Sequence, residues 1–165
     1  MRKTIIGVMG PGNHPTDIDL HRAYQLGQLI AQEGWVLLTG GRKAGVMDAA
    51  SKGAQAAGGL TIGILPDDNT SQMSEAVDIA IITNMGSARN NINVLSSDVV
   101  IACGMGTGTA SEVALALNNG KQVVLLTDDQ DSQRFFISLS PEQVFLATSP
   151  EAAIEFVKAS LTTIL

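Results

Sequence analysis

The stretch from Ser96 to Leu117, SSDVVIACGMGTGTASEVALAL, constrains this chain more than any other. An apolar run from Asp98 to Cys103 stops in Gly104-Met105-Gly106-Thr107-Gly108-Thr109. Ala110, Val113, Ala114 and Leu117 then recur at helical spacing. The pattern is a strand, a glycine-rich turn and a helix. Glycines in such a turn let backbone approach a ligand closely, and the first free N–H groups of the helix, at the positive end of its dipole, point at an arriving anion. Glu112 stands out, because a carboxylate just inside such a helix start either repels the anion or contributes to chemistry beside it. Thr109-Ala110-Ser111-Glu112 also fits a capping box, in which Glu112 would return a hydrogen bond to the backbone of Thr109. The two roles are compatible and both stay open.

The same unit recurs along the chain. Thr4 to Met9 is a short β-rich run without alternation, as expected of a strand covered on both faces, and it ends in Gly10-Pro11-Gly12. That loop fails the dinucleotide template at its third glycine, where Pro15 stands, and taken alone reads as a plain turn. Asp17 to Glu33 reads as a helix stopped by Gly34, with Leu20, Ala23, Leu26, Gly27 and Ile30 on one face. His21 falls on its surface or flank, and His14 is a lone loop histidine, a type more often solvated than functional. Trp35 to Thr39 is a second strand. Gly40-Gly41-Arg42-Lys43-Ala44-Gly45 follows, a loop that departs from the Walker pattern because Val46 stands where Lys-Ser/Thr is required.

The helix from Val46 to about Ala57 presents Val46, Ala49, Ala50, Gly53, Ala54 and Ala57, small residues that permit close packing against a sheet or a second chain. Thr61 to Leu65 is a third strand stopped by Pro66, and the acidic Asp67 to Asp78 reads as an exposed excursion, a lid or a loop. Ile79 to Ile82 is a fourth strand. Ser87 is the expected cap of the next helix, placing Arg89 in its first turn, where a cation opposes the dipole by a few tenths to ~1 kcal/mol. A bound anion explains that placement, as does pairing with a surface carboxylate. Gln122 to Leu126 is a sixth strand, a short helix or turn surrounds Phe135 and Phe136, and Val144 to Ala147 makes an edge strand. Ser149-Pro150-Glu151 opens a terminal helix.

Strands alternate with helices nearly throughout, so the expected fold is α/β: a doubly wound, mostly parallel sheet of about seven strands with helices on both faces. With 165 residues, 45% of them hydrophobic, one domain spanning 1–165 is expected. Ligands of such sheets bind at the carboxyl ends of the strands, the edge that carries the turns after strands one, two, four and five. A net charge of −6 argues against a broad nucleic-acid surface, since phosphate neutralisation needs clustered Lys and Arg. An anion bound here is small and held locally. The single cysteine, Cys103, makes no internal disulfide and fits a reducing compartment, the cytoplasm. No apolar run is long enough for a secretory segment or a membrane span.

Two segments, TGGRKAGVMDAASKGAQAAGG and ARN followed at a distance by GMGTGTASE, resemble the nucleotide-binding superfamily of the LONELY GUY phosphoribohydrolases and the molybdenum cofactor carrier proteins. The resemblance covers the first strand to about Leu126. The hydrolases carry P-G-G-x-G-T-x-x-E, matched here at Gly106, Gly108, Thr109 and Glu112 and departed from at Gly104 and Met105. They also have an Arg-Lys pair, where this chain has Arg89-Asn90. Ala88-Arg89-Asn90 and the Gly41 to Gly45 loop look more like the carriers. The resemblance implies a modified Rossmann fold that oligomerises and holds a phosphorylated pterin, the molybdenum cofactor, or a related nucleotide. Gly10, Gly12, Gly40, Gly41, Gly45, Arg89, Asn90, Gly104, Gly106, Thr107, Gly108 and Thr109 are the implied binding residues. Were the chain instead a hydrolase of nucleoside 5′-monophosphates, Arg89 would steady the ribose phosphate and Glu112 would stabilise charge on the sugar. No metal-ligand set is expected from the chain itself.

Overall fold

A computed structural model describes residues 2–163. Seven strands alternate with helices: β1 (Ile5–Met9), α1 (Asp17–Gln32), β2 (Val36–Thr39), α2 (Gly45–Ala56), β3 (Thr61–Leu65) and β4 (Ile79–Ile82) form the first half. A 3₁₀ turn (Gly86–Arg89) leads into α3 (Asn90–Ser96), then β5 (Val99–Cys103), α4 (Thr107–Asn118), β6 (Val123–Leu126), α5 (Gln130–Leu139), β7 (Val144–Leu146) and α6 (Pro150–Thr163). All six strand pairings are parallel, in the order β4-β3-β2-β1-β5-β6-β7. The near-continuous apolar strands follow from helices on both faces. On one face Ile6, Val8, Leu37, Ile101 and Val124 pack with α1, α2 and α6, and on the other Met9, Leu38, Val100 and Leu125 pack with Val94 of α3, Val113 of α4 and Phe136 of α5.

The direction of winding reverses between β1 and β5, which pair from Ile6↔Val99 to Met9↔Ala102. At such a switch point the loops that leave two neighbouring strands diverge to opposite faces and open a crevice. Here those loops are Gly10-Pro11-Gly12 and Gly104-Met105-Gly106.

Several local expectations give way to tertiary structure. The small-residue face of α2 packs closely against α1 as well as on the sheet. A Cβ on Gly27 would lie 2.0 Å from the Ala50 carbonyl oxygen, and one on Gly53 1.9 Å from that of Tyr24. Ser87 caps nothing, because the chain leaves β4 through the 3₁₀ turn before α3 begins. The segment at Phe135 and Phe136 is the ten-residue helix α5, capped by the Asp129 carboxylate, which accepts from Ser132 N–H. The acidic excursion is pinned at its far end: Ser74 N–H donates to Gly41 O, and Ser74, Ala76 and Val77 are buried. Ser149 does cap α6, accepting from Ala152 N–H at 3.1 Å.

Candidate functional site

A cleft of about 530 Å³ opens at the switch point. It is lined from β1 by Gly10, Pro11, Gly12 and Asn13, and from α4 by Gly106, Thr107, Gly108, Thr109 and Glu112. The turn before α3 adds Gly86, Ser87, Arg89 and Asn90. Arg42, Met47, Pro66 and Asp67 complete the wall.

How each helix begins separates α4 from its neighbours. The side chains of Thr16 and Asp19 form a capping box at α1. At α2 the Val46 N–H donates to the Pro11 carbonyl. α4 has Gly106 as its N-cap and no side-chain cap; its first intrahelical bond is Ala110 N–H to Gly106 O. The N–H groups of the first turn, on Thr107, Gly108 and Thr109, therefore face the cleft at the positive end of the helix dipole. Thr109 Oγ1 is buried without a hydrogen-bond partner.

This geometry removes the capping box expected at Thr109 and Glu112. The helix starts two residues before Thr109, which becomes its third residue, so Glu112 has no cap to reach back to. Glu112 is 7% exposed and accepts from the Asn93 side-chain amide at 2.8 Å through Oε1. Burial pushes its carboxyl up to about 7, against the smaller opposing pulls of the Asn93 hydrogen bond and the Arg89 charge.

Arg89 is no surface residue either. At 8% exposed, it donates from Nε to Ile64 O at 2.8 Å, from Nη2 to Gly40 O at 3.4 Å, and from Nη1 to the Asn90 side-chain oxygen. All three acceptors are neutral, and among the described residues no carboxylate lies within ion-pair distance. Burial draws its pKa below the ordinary arginine value, Glu112 pulls it back, and it remains a cation. Asn90 passes the connection on: its amide donates to Ser111 Oγ at 3.0 Å, and that hydroxyl donates to Gly108 O at 2.7 Å. One hydrogen-bond chain thus ties the guanidinium to the first turn of α4.

Of the candidate binding residues, Gly10, Gly12, Arg89, Asn90, Gly106, Thr107, Gly108 and Thr109 meet on the cleft, together with Glu112. Gly40, Gly41, Gly45 and Gly104 stand behind the lining. Gly40 accepts from Arg89, Gly41 abuts Gly63, Gly45 abuts Pro11, and Gly104 abuts the Asp19 carboxylate. Asn13, Arg42, Met47, Pro66 and Asp67 also line the cleft but are absent from the candidate binding residues, although Asn13, Arg42, Pro66 and Asp67 all stand in loops that leave strands at the carboxyl edge. Neither His14 nor His21 lines it. Among the described residues no three His, Cys, Asp or Glu side chains gather as a metal set, and no helix is long and apolar enough to cross a membrane. Cys103 is buried, and that burial raises its thiol to about 12.

Comparison with known proteins gives the geometry a context. A family profile described as the SLOG cluster4 family (LDcluster4) matches residues 3–154. The structure of the molybdenum cofactor binding protein from the phototrophic bacterium Rippkaea orientalis is 67% identical, covering 98% of this chain and 99% of that one, with a TM-score of 0.96. The Moco carrier protein from Chlamydomonas reinhardtii is 53% identical over the same shares, with a TM-score of 0.92. More distantly, the cytokinin riboside 5′-monophosphate phosphoribohydrolase of Mycobacterium tuberculosis is 32% identical over 109 residues, 64% of this chain and 58% of that protein.

Proposed function

The chain belongs to the SLOG cluster4 family, and from that membership and the cleft at its switch point we propose that it binds and carries molybdenum cofactor, shielding a phosphorylated pterin as cargo. The observation that carries this reading is the 67% identity, over nearly the whole chain, to a protein that binds that cofactor. The residues present suit the cargo. The open α4 N-terminus supplies backbone N–H groups for a phosphate, Thr109 Oγ1 is a buried hydroxyl still lacking a partner, and Arg89 is a buried cation hydrogen-bonded only to neutral oxygens. Gly108 leaves the approach to that turn open, since a Cβ there would meet nothing within 4 Å.

A second reading rests on Glu112 facing Arg89 across the same cleft, together with the distant phosphoribohydrolase relative: hydrolysis of a nucleoside 5′-monophosphate. In such a reaction the Glu112 carboxylate would stabilise the oxocarbenium-like sugar. Asn90, committed to bridging Arg89 and Ser111, offers the ligand no second cation beside Arg89, and this favours the carrier. Anaerobic titration with purified molybdenum cofactor tests the proposal. Saturable binding and slower loss of the cofactor in air are expected. Release of free base from a nucleoside monophosphate, abolished by Glu112→Gln, would overturn it.

The carrier is proposed to assemble as a homo-oligomer through the surface of β4, the 3₁₀ turn, α3 and α4. From Ile79 to Asn118 the only acidic or basic residues are Arg89, Asp98 and Glu112. Arg89 and Glu112 are buried, and Asp98 bonds Arg2 at the opposite end of the sheet. Ile79, Ile81, Met85 and Leu95, each more than 40% exposed, sit on this uncharged surface. A second copy covers it without bringing like charges together in a chain of net charge −6. Light scattering should give a dimer or larger at micromolar concentration; a monomer contradicts the assembly.

A further inference from the structure

Of the two acids that line the cleft, Asp67 and Glu112, only Glu112 is buried, and its presence in an anion carrier needs its own account. It lines the cavity, yet no cation neutralises it: among the described residues its only hydrogen-bond partner is the neutral Asn93 amide, at Oε1. No protein donor reaches Oε2. Arg89, whose charge acts on Glu112 through the cleft, directs its hydrogen bonds to two backbone carbonyls and an amide oxygen instead. The charged groups bordering the cleft are Arg42, Asp67, Arg89 and Glu112. With both acids ionised these two cations and two anions cancel, and the attraction for an anion is left to the open turn of α4. With Glu112 protonated these side chains carry one net positive charge, and the Glu112 O–H becomes a hydrogen-bond donor in the cleft wall.

We propose that Glu112 meets the anionic cargo as a neutral carboxylic acid that donates a hydrogen bond, so that the ligand is taken up together with one proton from solvent. The inference rests on the anion-binding reading above and adds the residue that sets its charge selectivity. The balance is simple: a carboxylate, a proton and the anion combine into a carboxylic acid bound to that anion. Dissociation returns the proton. The direction in which burial moves Glu112 agrees, since desolvation already favours its neutral form near neutrality. Neither histidine lines the cleft, and Cys103, on β5 behind it, is buried, which pushes its thiol up to about 12. The arrangement selects for ligands that present a hydrogen-bond acceptor to Glu112, and it ties retention of the cargo to acidity.

Sulfate is the probe, because it mimics a phosphate group but does not itself titrate between about pH 5 and 9. Its affinity for the full chain is measured by calorimetry across that range at fixed ionic strength, for wild type and Glu112→Gln. The wild-type dissociation constant should be flat on the acid side and rise toward tenfold per pH unit above about pH 7, as linkage to one proton requires. Glu112→Gln, whose amide donates without titrating, should bind at the acid-side level throughout with no slope. In buffers of different ionisation heat the wild type should take up close to one proton per sulfate at about pH 8, a readout that needs no variant. Sulfate binding with no slope, a slope that survives in Glu112→Gln, or no proton uptake would overturn this inference and leave the anion site standing. No sulfate binding at any pH would overturn the anion site and this inference with it.

Discussion

Gly10 and Gly45, against Gly106 and Gly108, are spelled alike in the sequence and do opposite work in the molecule. A Cβ on Gly10 would lie 2.3 Å from the Cys103 carbonyl oxygen, and one on Gly45, whose φ is +50°, would lie 2.2 Å from that of Pro11. These two glycines let β1, β5 and the start of α2 close on one another, which brings the loops of the switch point together. A Cβ on Gly106 would come no nearer than 3.5 Å to anything, and one on Gly108 would meet nothing within 4 Å. There the missing side chain leaves room that no part of the chain occupies. The first pair makes the wall of the cleft and the second leaves space for what enters it.

The largest effect is expected on the wall. Gly10→Ala and Gly45→Ala each force backbone to move by an ångström or more, and Gly45 must also hold a left-handed φ. A loss of at least about 3 kcal/mol of stability, or failure to accumulate as folded protein, should appear in chemical unfolding. Unchanged stability in either variant would erase the distinction between the two pairs.

Glu112 sharpens the distinction from the other side, as a lining residue whose burial is unfavourable to folding. Its carboxyl lies near 7 in the folded chain and near 4.5 when unfolded. Between those values the folded chain holds more protons than the unfolded one, so stability is full below about pH 4.5 and declines as pH rises toward 7. Glu112→Gln should therefore be more stable than wild type by roughly 3 kcal/mol at about pH 8 and equal to it near pH 4, in urea melts at the two pH values. A constant difference at both would contradict the account.

Arg89 belongs to both regions, since its donors hold Ile64 and Gly40 of the wall while its charge faces the cleft. Arg89→Lys keeps a cation but loses the planar fork, and anion affinity should fall by roughly 1.5–3 kcal/mol, about ten- to a hundredfold, in a binding titration. The smallest effect on the fold is expected at Gly108, in the first turn of α4. Gly108→Ala should leave stability unchanged or raise it by up to ~1 kcal/mol, because alanine is the better helix former, while binding weakens.

How far this division is legible in the sequence depends on the residue. The strand, turn and helix units were readable from apolar runs and glycines, and they placed Gly10, Gly12, Gly106, Gly108, Thr109, Arg89 and Asn90 at one sheet edge. Whether a glycine there faces a ligand or another backbone depends on which loops cross, which spacing along the chain does not encode. Gly40, Gly41, Gly45 and Gly104 thus stand behind the lining for reasons such as Gly63 and Asp19 that are distant in sequence. Asn13, Arg42 and Asp67 enter the cleft by the same long-range geometry. The capping pattern at Thr109 and Glu112 misled because the helix starts at Thr107, and a shift of two residues turns a cap into a buried wall. Arg89 was readable as a ligand contact but not as a buried residue, since its acceptors at Gly40 and Ile64 lie on other strands' ends.

If the room left at Gly108 belongs to molybdenum cofactor, filling it with a side chain should empty the cleft of its cargo. Wild type and Gly108→Val are produced in a host that makes the cofactor, purified without oxygen, and shown to unfold at the same temperature; the small molecules each releases are then identified by mass spectrometry. A phosphorylated pterin is expected with the wild type and none with Gly108→Val. The pterin in equal amounts with both, or a nucleotide in its place with the wild type, would contradict it.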